Sequence, residues 1–384
     1  MRLLILFALS FVVASFAASA QLTDSLFSVL DTARNERKVK TLNELFRAYL
    51  HTDPIEAIGY ARQALNLATE INDQRGMAAA NNNIGVAYRN QGAFDKALDF
   101  YIKSLRLYEG LDNKEGIAAA RNNISTIYSI KQDYSQALKF LEESHSMLVE
   151  LNDQPKLVGS LNNLGVLNQN LAQYEEALNF YKQSYDLSEK LGSPLPDPLN
   201  NIGNLLSMQN RFSEAIEYYS KALELEKKSD NRLGILNTLS NLGIAYTKAN
   251  KHDVALRFLN EAYTLARELN GNAEIPTLLK NIAFNNYRQG KLKDAFEIML
   301  QYDSAREKVY SEESSRRIAQ LEMAMQLSDK EAEYESLKKA AELKTLQLRN
   351  SRLFIVAIIL SLLLLVGIIN YFFMDKLKEL LRHR

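Results

Sequence analysis

The stretch that decides the fold is Asn83–Tyr101, with the sequence NIGVAYRNQGAFDKALDFY. Two small residues, Gly85 and Ala97, stand twelve positions apart, and Gly92 lies between them. Apolar and aromatic residues recur at helical spacing on both sides of Gly92, which is a residue that readily ends a helix. The stretch therefore predicts two helices joined by a short turn, with the small residues where the backbones approach closely.

The same pattern recurs through the middle of the chain, and this repetition is the strongest signal of its organisation. A small residue returns at spacings of 40, 40, 38, 40 and 40 residues: Gly85, Ser125, Gly165, Gly203, Gly243 and Ala283. An alanine follows each one by twelve residues: Ala97, Ala137, Ala177, Ala215, Ala255 and Ala295. A degenerate unit precedes these six, with Ala57 placed 40 residues before Ala97. Because one helix pair cannot bury its apolar face alone, we expect the pairs to stack into a solenoid.

These units resemble the tetratricopeptide repeat (TPR) family over residues 41–304, and Asn83–Tyr101 is close to the family's consensus. The resemblance implies an all-α solenoid of about six to seven helix pairs. The period of 40 residues differs from the usual TPR period of about 34 residues. We expect the six additional residues to lengthen both helices.

One joint departs from the pattern. The segment Gly192–Pro198 holds three of the six prolines and accounts for the 38-residue unit. Because proline fixes φ and removes a donor, it predicts a stiff, altered step in the solenoid. The alternative is a loop that is merely tolerated.

The resemblance also implies a binding surface, because TPR arrays bind extended peptides or partner helices along a concave face lined by the first helix of each pair. In the family's register, one column of residues on that face is Asn82, Asn122, Asn162, Asn200, Ser240 and Lys280. These are the candidate site residues, since an amide can both donate to and accept from an extended backbone. The adjacent column is Asn83, Asn123, Asn163, Asn201, Asn241 and Asn281, for which internal hydrogen bonding is favoured over ligand contact.

Both ends of the chain have the composition of targeting segments. Residues 1–20 combine Arg2, an apolar run and the small triplet Ala18–Ala20, which predicts a cleaved signal peptide; an uncleaved anchor is the alternative. Residues 353–373 carry no charge over 21 positions, which predicts one transmembrane helix of roughly 30 Å. Between these segments we expect an N-terminal helical cap (21–40), the array (41–304) and a helical stalk (305–352), followed by a cytoplasmic tail (374–384).

The stalk is rich in Glu, Lys, Ala and Leu and has neither Gly nor Pro. Its imperfect heptads favour one continuous helix and allow a coiled-coil homodimer. Basic residues flank the apolar segment on both sides and do not decide the orientation. The signal peptide predicts that the residues from Gln21 to the span are extracytoplasmic, in the periplasm, and that the last eleven residues, from Met374, are cytoplasmic.

Composition narrows the function to binding. The 46 basic and 46 acidic residues balance, so no net field recruits nucleic acid. Cysteine is absent, which rules out thiol catalysis and disulfides. The four histidines form no metal motif and there is no phosphate-binding glycine loop, so we expect no cofactor, no metal site and no enzymatic activity.

Two functions remain open from the sequence. The first is a membrane-anchored scaffold or adaptor that binds proteins or peptides. The second is a sensor, because the order of segments resembles the sensory half of bacterial membrane-bound TPR histidine kinases and their helix-turn-helix relatives. No effector domain follows the apolar segment, so the sensor's output would lie on another chain or have been lost by truncation.

Overall fold

The computed structural model describes residues 24–50 and 52–382, and every regular element within these ranges is a helix. The predicted signal peptide (1–20) lies outside the described residues. So do the first three residues of the expected cap, His51 and the last two residues of the tail.

Fifteen helices follow one another in the described ranges. Helix α1 covers 24–32, and the first two pairs are α2 (Asn35–Tyr49) with α3 (Pro54–Glu70), and α4 (Gln74–Asn90) with α5 (Phe94–Gly110). The next pairs are α6 (Lys114–Ile130) with α7 (Tyr134–Glu150), α8 (Gln154–Asn170) with α9 (Tyr174–Lys190), and α10 (Pro196–Met208) with α11 (Phe212–Lys228). The array ends with α12 (Arg232–Lys248) and α13 (His252–Glu268), then α14 (Ile275–Arg288) and α15 (Leu292–Arg382). The all-α solenoid expected from the sequence is confirmed.

The 40-residue period has a simple origin in helix length. Most repeats consist of two 17-residue helices and two three-residue connections, as in α4 to α7. Six residues beyond the usual TPR period correspond to about three per helix, or nearly one turn each. Both helices of the pair are therefore long, as predicted.

The connections between helices share one backbone conformation. Each helix from α3 to α14 is followed by a residue in the left-handed conformation, and hydrogen bonds to carbonyls near the helix end close the last turn. The residues are Asn72, Gly92, Asp112, Gln132, Asn152, Ala172, Gly192, Asn210, Asp230, Asn250, Asn270 and Gly290. An aspartate or asparagine then caps several of the following helices; Asp73, for example, accepts from the Gly76 amide at 2.9 Å. Gly92, identified in the sequence as a residue that ends a helix, occupies one of these turns.

The degenerate unit forms a helix pair, α2 and α3, with Pro54 in the first turn of α3. Helix α2 begins at Asn35, so the expected boundary between cap and array at residues 40 and 41 falls inside it. Helix α1 packs on this pair: the Phe27 ring lies 6.3 Å from the rings of both Tyr49 and Tyr60. The N-terminal end of the array is thereby covered.

The small residues lie where the two helices of a pair cross, as predicted. A Cβ built on Gly85 would approach the Tyr101 ring to 2.6 Å, and one on Gly243 would approach Leu259 to 2.5 Å. Serine adds a polar contact between the same helices: Ser104 donates to the Ala78 carbonyl at 2.8 Å. Ser144 and Ser184 make the same bond one and two repeats later. The pair interface is therefore both tightly packed and hydrogen-bonded.

The proline-rich joint changes two lengths at once. Helix α10 has 13 residues instead of 17, and the connection before it has five residues instead of three, which together shorten the unit by two. Gly192 takes the left-handed turn position. The buried hydroxyl of Ser188 accepts from the Leu195 amide at 3.0 Å. The connection therefore has a defined backbone conformation that is stabilised by hydrogen bonding.

The last helix, α15, is continuous from Leu292 to Arg382. The chain divides into two compact units, with the boundary after Gln320. In the second unit the continuous helix expected beyond residue 305 is present. The range Lys339–Ile368 holds one window long and apolar enough to cross a membrane, at the place where the sequence predicts a span.

Candidate functional site

The first helices of successive pairs form one face of the array. Contacts join α2 to α4, α8 to α10, α10 to α12 and α12 to α14. Among the described residues, no two second helices of successive pairs contact each other to the same extent. The closer approach of the first helices places them on the inner side of the curve, and such a curve creates the concave surface that solenoid proteins use for binding.

Three columns of side chains cross this inner face, at helical spacing on each first helix. The middle column is the predicted one: Asn82, Asn122, Asn162, Asn200 and Ser240 are half-buried and Lys280 is exposed. Three positions earlier stand the small or polar residues Ala79, Ala119, Gly159, Asp197, Asn237 and Thr277. Four positions later stand the mostly apolar residues Val86, Thr126, Val166, Asn204, Ile244 and Phe284.

The second asparagine column stitches one repeat to the preceding one. Asn83 Nδ2 donates to Asn43 Oδ1 at 2.7 Å. Asn123 donates to Asn82 at 2.8 Å, and Asn201 donates to Asn162 at 2.9 Å. The internal role favoured for this column is confirmed at these positions. Asn163 is exposed and is an exception.

These bonds also fix the orientation of the candidate column. The side-chain oxygens of Asn82 and Asn162 are occupied as acceptors. Within the described part of the chain, their amide nitrogens and the whole side chain of Asn122 have no assigned hydrogen bond. An amide NH₂ held in this way can donate to a carbonyl of a bound chain.

Asn200 differs from the other asparagines of the column. Its Nδ2 donates to Glu226 Oε1 at 3.0 Å, and its Oδ1 lies 3.0 Å from Thr238 Oγ1. Glu226 is 1% exposed, and its second oxygen has no hydrogen-bond partner in the part of the chain that the structure describes. Burial raises the pKa of Glu226; the hydrogen bonds from Thr238 and Asn200 oppose the shift, and Asp197 adds to it. Asn200 therefore already serves a buried carboxyl.

Two histidines of the array, His145 and His252, each lie within hydrogen-bond distance of a side chain on another helix. His145 Nδ1 lies 3.1 Å from Ser160 Oγ, and burial lowers the pKa of His145. His252 Nδ1 lies 2.7 Å from Asn285 Oδ1, and Asn285 also donates to the His252 carbonyl. No group of three or more His, Asp or Glu in the described ranges could hold a metal ion.

Sequence reasoning identified the amide column and missed the two columns beside it. The signal was available: the residues three before and four after each asparagine are small and apolar, respectively, in repeats such as α4 and α8. The inner face therefore combines amide groups with small and apolar side chains, which suits a chain that presents backbone groups and apolar side chains.

The sequence model of the tetratricopeptide repeat family matches residues 48–110, 76–150, 116–190 and 195–268, which is more than half of the chain. The chain belongs to the tetratricopeptide repeat family. Proteins of this class are generally scaffolds that bind proteins or peptides. No curated protein matches the chain at a significant level of sequence similarity.

Several solved structures share the fold. The apo form of RapI covers 71% of this chain and 99% of its own, with 16% identity and a TM-score of 0.57. A Rap protein complexed with competence and sporulation factor covers 76% and 81%, with 12% identity and a TM-score of 0.53. A signal transduction ATPase with a tetratricopeptide repeat sensor, from Pyrococcus horikoshii, covers 76% and 45%, with 15% identity and a TM-score of 0.65. At these identities the likeness shows the fold alone.

Proposed function

We propose that this protein is a membrane-anchored scaffold that binds an extended peptide or protein segment along its inner face, outside the cytoplasm. The observation that carries the proposal is the row of half-buried amides at Asn82, Asn122 and Asn162, flanked by small and apolar columns. Fold-related Rap protein is known in complex with competence and sporulation factor, which supports a binding role for this kind of array.

The ligand contacts concentrate in the first half of the array. Asn82 and Asn162 direct amide donors away from the bonds between repeats, and Asn122 has no assigned side-chain bond in the described residues. Ala79 and Gly159, beside them, leave room for a ligand backbone to approach. At Asn200 the side chain is committed to Glu226, so a ligand would have to compete with that bond.

Photo-crosslinking from the inner face tests the binding proposal. The benzophenone amino acid p-benzoylphenylalanine is placed at Asn122 or Asn162 in the full chain, in intact membranes. Asn179, exposed on the second helix α9, is the matched control. We expect one defined adduct from both inner positions, with its yield reduced by alanine at Asn82. Equal adducts from Asn179, or none from a folded array, would contradict an inner-face site.

The anchor and the orientation are part of the same proposal. The apolar window Lys339–Ile368 supports one membrane span, and the signal peptide predicted over 1–20 supports export of the array. The residues after the span are then cytoplasmic. A cysteine-free chain suits a direct test, since any introduced cysteine is unique.

Labelling with a membrane-impermeant maleimide decides the orientation. In spheroplasts, Lys190→Cys, on the array, should react before lysis. Lys378→Cys, after the apolar segment, should react only after lysis. Reaction of Lys378→Cys alone in unbroken spheroplasts would reverse the topology, and reaction at neither position would place the array inside the cell.

A second candidate function is sensing, favoured by one observation: α15 contains both the last helix of the array and the apolar segment. A ligand that changes the last pair would act on the same helix. In such a sensor, the segment after the span would transmit this change to the output. Deletion of residues 374–384 should then abolish signalling while ligand capture persists, whereas a scaffold would retain its function without this tail.

A further inference from the structure

The C-terminal end face of the last helix pair, on which a further pair would stack, carries a group of exposed apolar side chains. Phe284 and Tyr287 on α14 and Leu292, Phe296 and Met299 on α15 line one groove, which we name the terminal groove. Tyr287, Leu292 and Phe296 are each more than 60% exposed. Single exposed apolar residues are ordinary, but a contiguous group of large ones marks an interaction surface.

Inside the array, the matching face of each pair is covered by the first helix of the next pair. Phe296 occupies the repeat position of Leu98, Leu138, Leu178, Ile216 and Leu256, which are half-buried. Phe296 itself is 64% exposed. The terminal groove is thus a continuation of the interface that joins successive pairs, with its covering helix missing from the described residues.

The terminal groove is more apolar than expected for a surface that faces solvent. A terminal repeat normally presents a polar outer face. Here Tyr287 stands where the earlier repeats have Arg89, Ser129, Gln169, Ser207 and Thr247. The terminal pair is therefore more apolar than an interior pair at this position, which indicates an additional contact.

The geometry limits the occupant. Helix α1 already covers the N-terminal end of the array through Leu26, Phe27 and Leu30. A second copy could not continue the stack head to tail without displacing α1. The shape that fits is the one repeated at every interior junction, a single amphipathic helix lying across a pair.

The positive charge beside the terminal groove predicts acidic residues on the flanks of the incoming helix. Lys280 is the one charged residue among those lining the terminal groove, and it has no ion pair among the described residues. Lys291 precedes Leu292 directly and is exposed. Acidic residues beside the apolar stripe of an incoming helix would pair with these ammonium groups.

We propose that the terminal groove binds an acidic amphipathic helix of a partner protein, which packs on the last pair as the first helix of a further repeat would. The groove includes Lys280 and Phe284, the last members of two inner-face columns, but lies in a different repeat from the amides of Asn82, Asn122 and Asn162. It uses helix-in-groove recognition instead of an extended ligand.

The test uses the full chain in nanodiscs of zwitterionic lipid and a fluorescent 18-residue helical peptide, with leucines at i, i+3, i+4 and i+7 spacing and glutamates elsewhere. Anisotropy should show binding by the unaltered chain. Phe296→Gln should weaken it by about tenfold or more, because large buried aromatics dominate such contacts. Leu233→Gln, an equally exposed apolar residue on α12, is the matched control and should bind as the unaltered chain does.

Charge reversal keeps the test valid if the Phe296 variant unfolds. Lys280→Glu should bind the acidic peptide several-fold more weakly and gain affinity for a peptide with lysines in place of the glutamates. Peptide binding that is equal in Phe296→Gln and the unaltered chain overturns the proposal. So does a homodimer, measured by mass photometry, that Phe296→Gln abolishes, or protection of the groove from hydrogen exchange by anionic lipid alone.

Discussion

Three tyrosines occupy the same repeat position and pack alike, but the hydrogen bonding of their hydroxyl groups differs. Tyr101, Tyr181 and Tyr219 are all buried against a glycine of the paired helix. Tyr181 donates to Gln169 Oε1 at 2.9 Å and Tyr219 donates to Asn204 Oδ1 at 2.7 Å. The Tyr101 hydroxyl has no hydrogen-bond partner among the described residues, and burial raises the pKa of Tyr101 to about 12. The three rings are therefore equally well packed, but only two of the three hydroxyl groups have a hydrogen-bond partner among the described residues.

Phenylalanine substitution should separate these two cases. Tyr219→Phe removes the shorter of the two hydrogen bonds that Asn204 Oδ1 accepts and leaves the one from Asn241 at 3.5 Å, so it should cost about 1 kcal/mol in the free energy of unfolding. Tyr101→Phe removes an unsatisfied hydroxyl and should leave stability unchanged or raise it. Urea denaturation of the three proteins measures the difference. Equal losses at both positions would mean that the Tyr101 hydroxyl is satisfied in solution.

Glu226 makes a pH-dependent contribution of predictable sign. Burial raises its pKa, so the folded state holds this proton more tightly than the unfolded chain does. The contribution favours folding at pH values below the unfolded-state pKa and is lost as pH rises through the folded-state pKa. Glu226→Gln should therefore stabilise the protein at pH 7.5 relative to the parent chain, with the advantage shrinking as pH falls toward 4.

Thermal unfolding of both proteins from pH 4 to pH 8 measures this effect. Glu217→Gln removes an exposed carboxyl from the same helix and is the control for the loss of one charge. An advantage of Glu226→Gln that is constant across the range would show that the carboxyl does not titrate with folding.

At the scale of the element, helix length and the turn residue set the repeat. A 17-residue helix ends at a residue with positive φ, usually Asn, Asp or Gly, which tolerate that conformation. Gln132 and Ala172 are the exceptions, and only Ala172, which follows α8 at a φ of 59°, lacks a polar side chain. An L-residue without a polar side chain pays a conformational cost there, so this turn is a weak point.

Exchanging the turn residues should move stability in opposite directions. Ala172→Gly should raise the free energy of unfolding by about 1 kcal/mol, since glycine adopts positive φ without a Cβ clash. Gly92→Ala, at the matching turn of an earlier repeat with a φ of 77°, should lower it by a similar amount. Chemical denaturation checks both, and a loss of stability in Ala172→Gly would show that the alanine side chain contributes packing.

At the scale of the whole array, each pair contacts mainly its neighbours, so stability is approximately a sum of local terms. The N-terminal end is covered by α1, and the C-terminal end face of the last pair is open. The two ends should therefore differ in protection, although they are built from the same repeat.

Native-state hydrogen exchange should reveal this asymmetry. Amides of α14 should exchange faster than those of α8, because local opening of α14 exposes less additional apolar surface. Amides of α2, beneath α1, should remain protected. The acidic helical peptide should slow exchange in α14 and leave α8 unaffected. Equal protection of α14 and α8 in the free chain would indicate that the terminal groove is already covered.

The sequence by itself determined the repeat, because small residues at a fixed period require two helices to cross there. Gly85, Ala97 and Gly92 were sufficient for the pair, and the amide column at Asn122 and Asn162 followed from its register. Such features depend on the spacing of residues along the chain, which can be read directly from the sequence.

Only the tertiary structure decided how the polar groups are shared. The acceptor of Asn123 lies 41 residues away on Asn82, and the partner of Asn200 is Glu226 on another helix. The exposure of Phe296 likewise depends on whether a further helix covers it. These outcomes follow from distances between repeats, which periodicity along one helix does not specify.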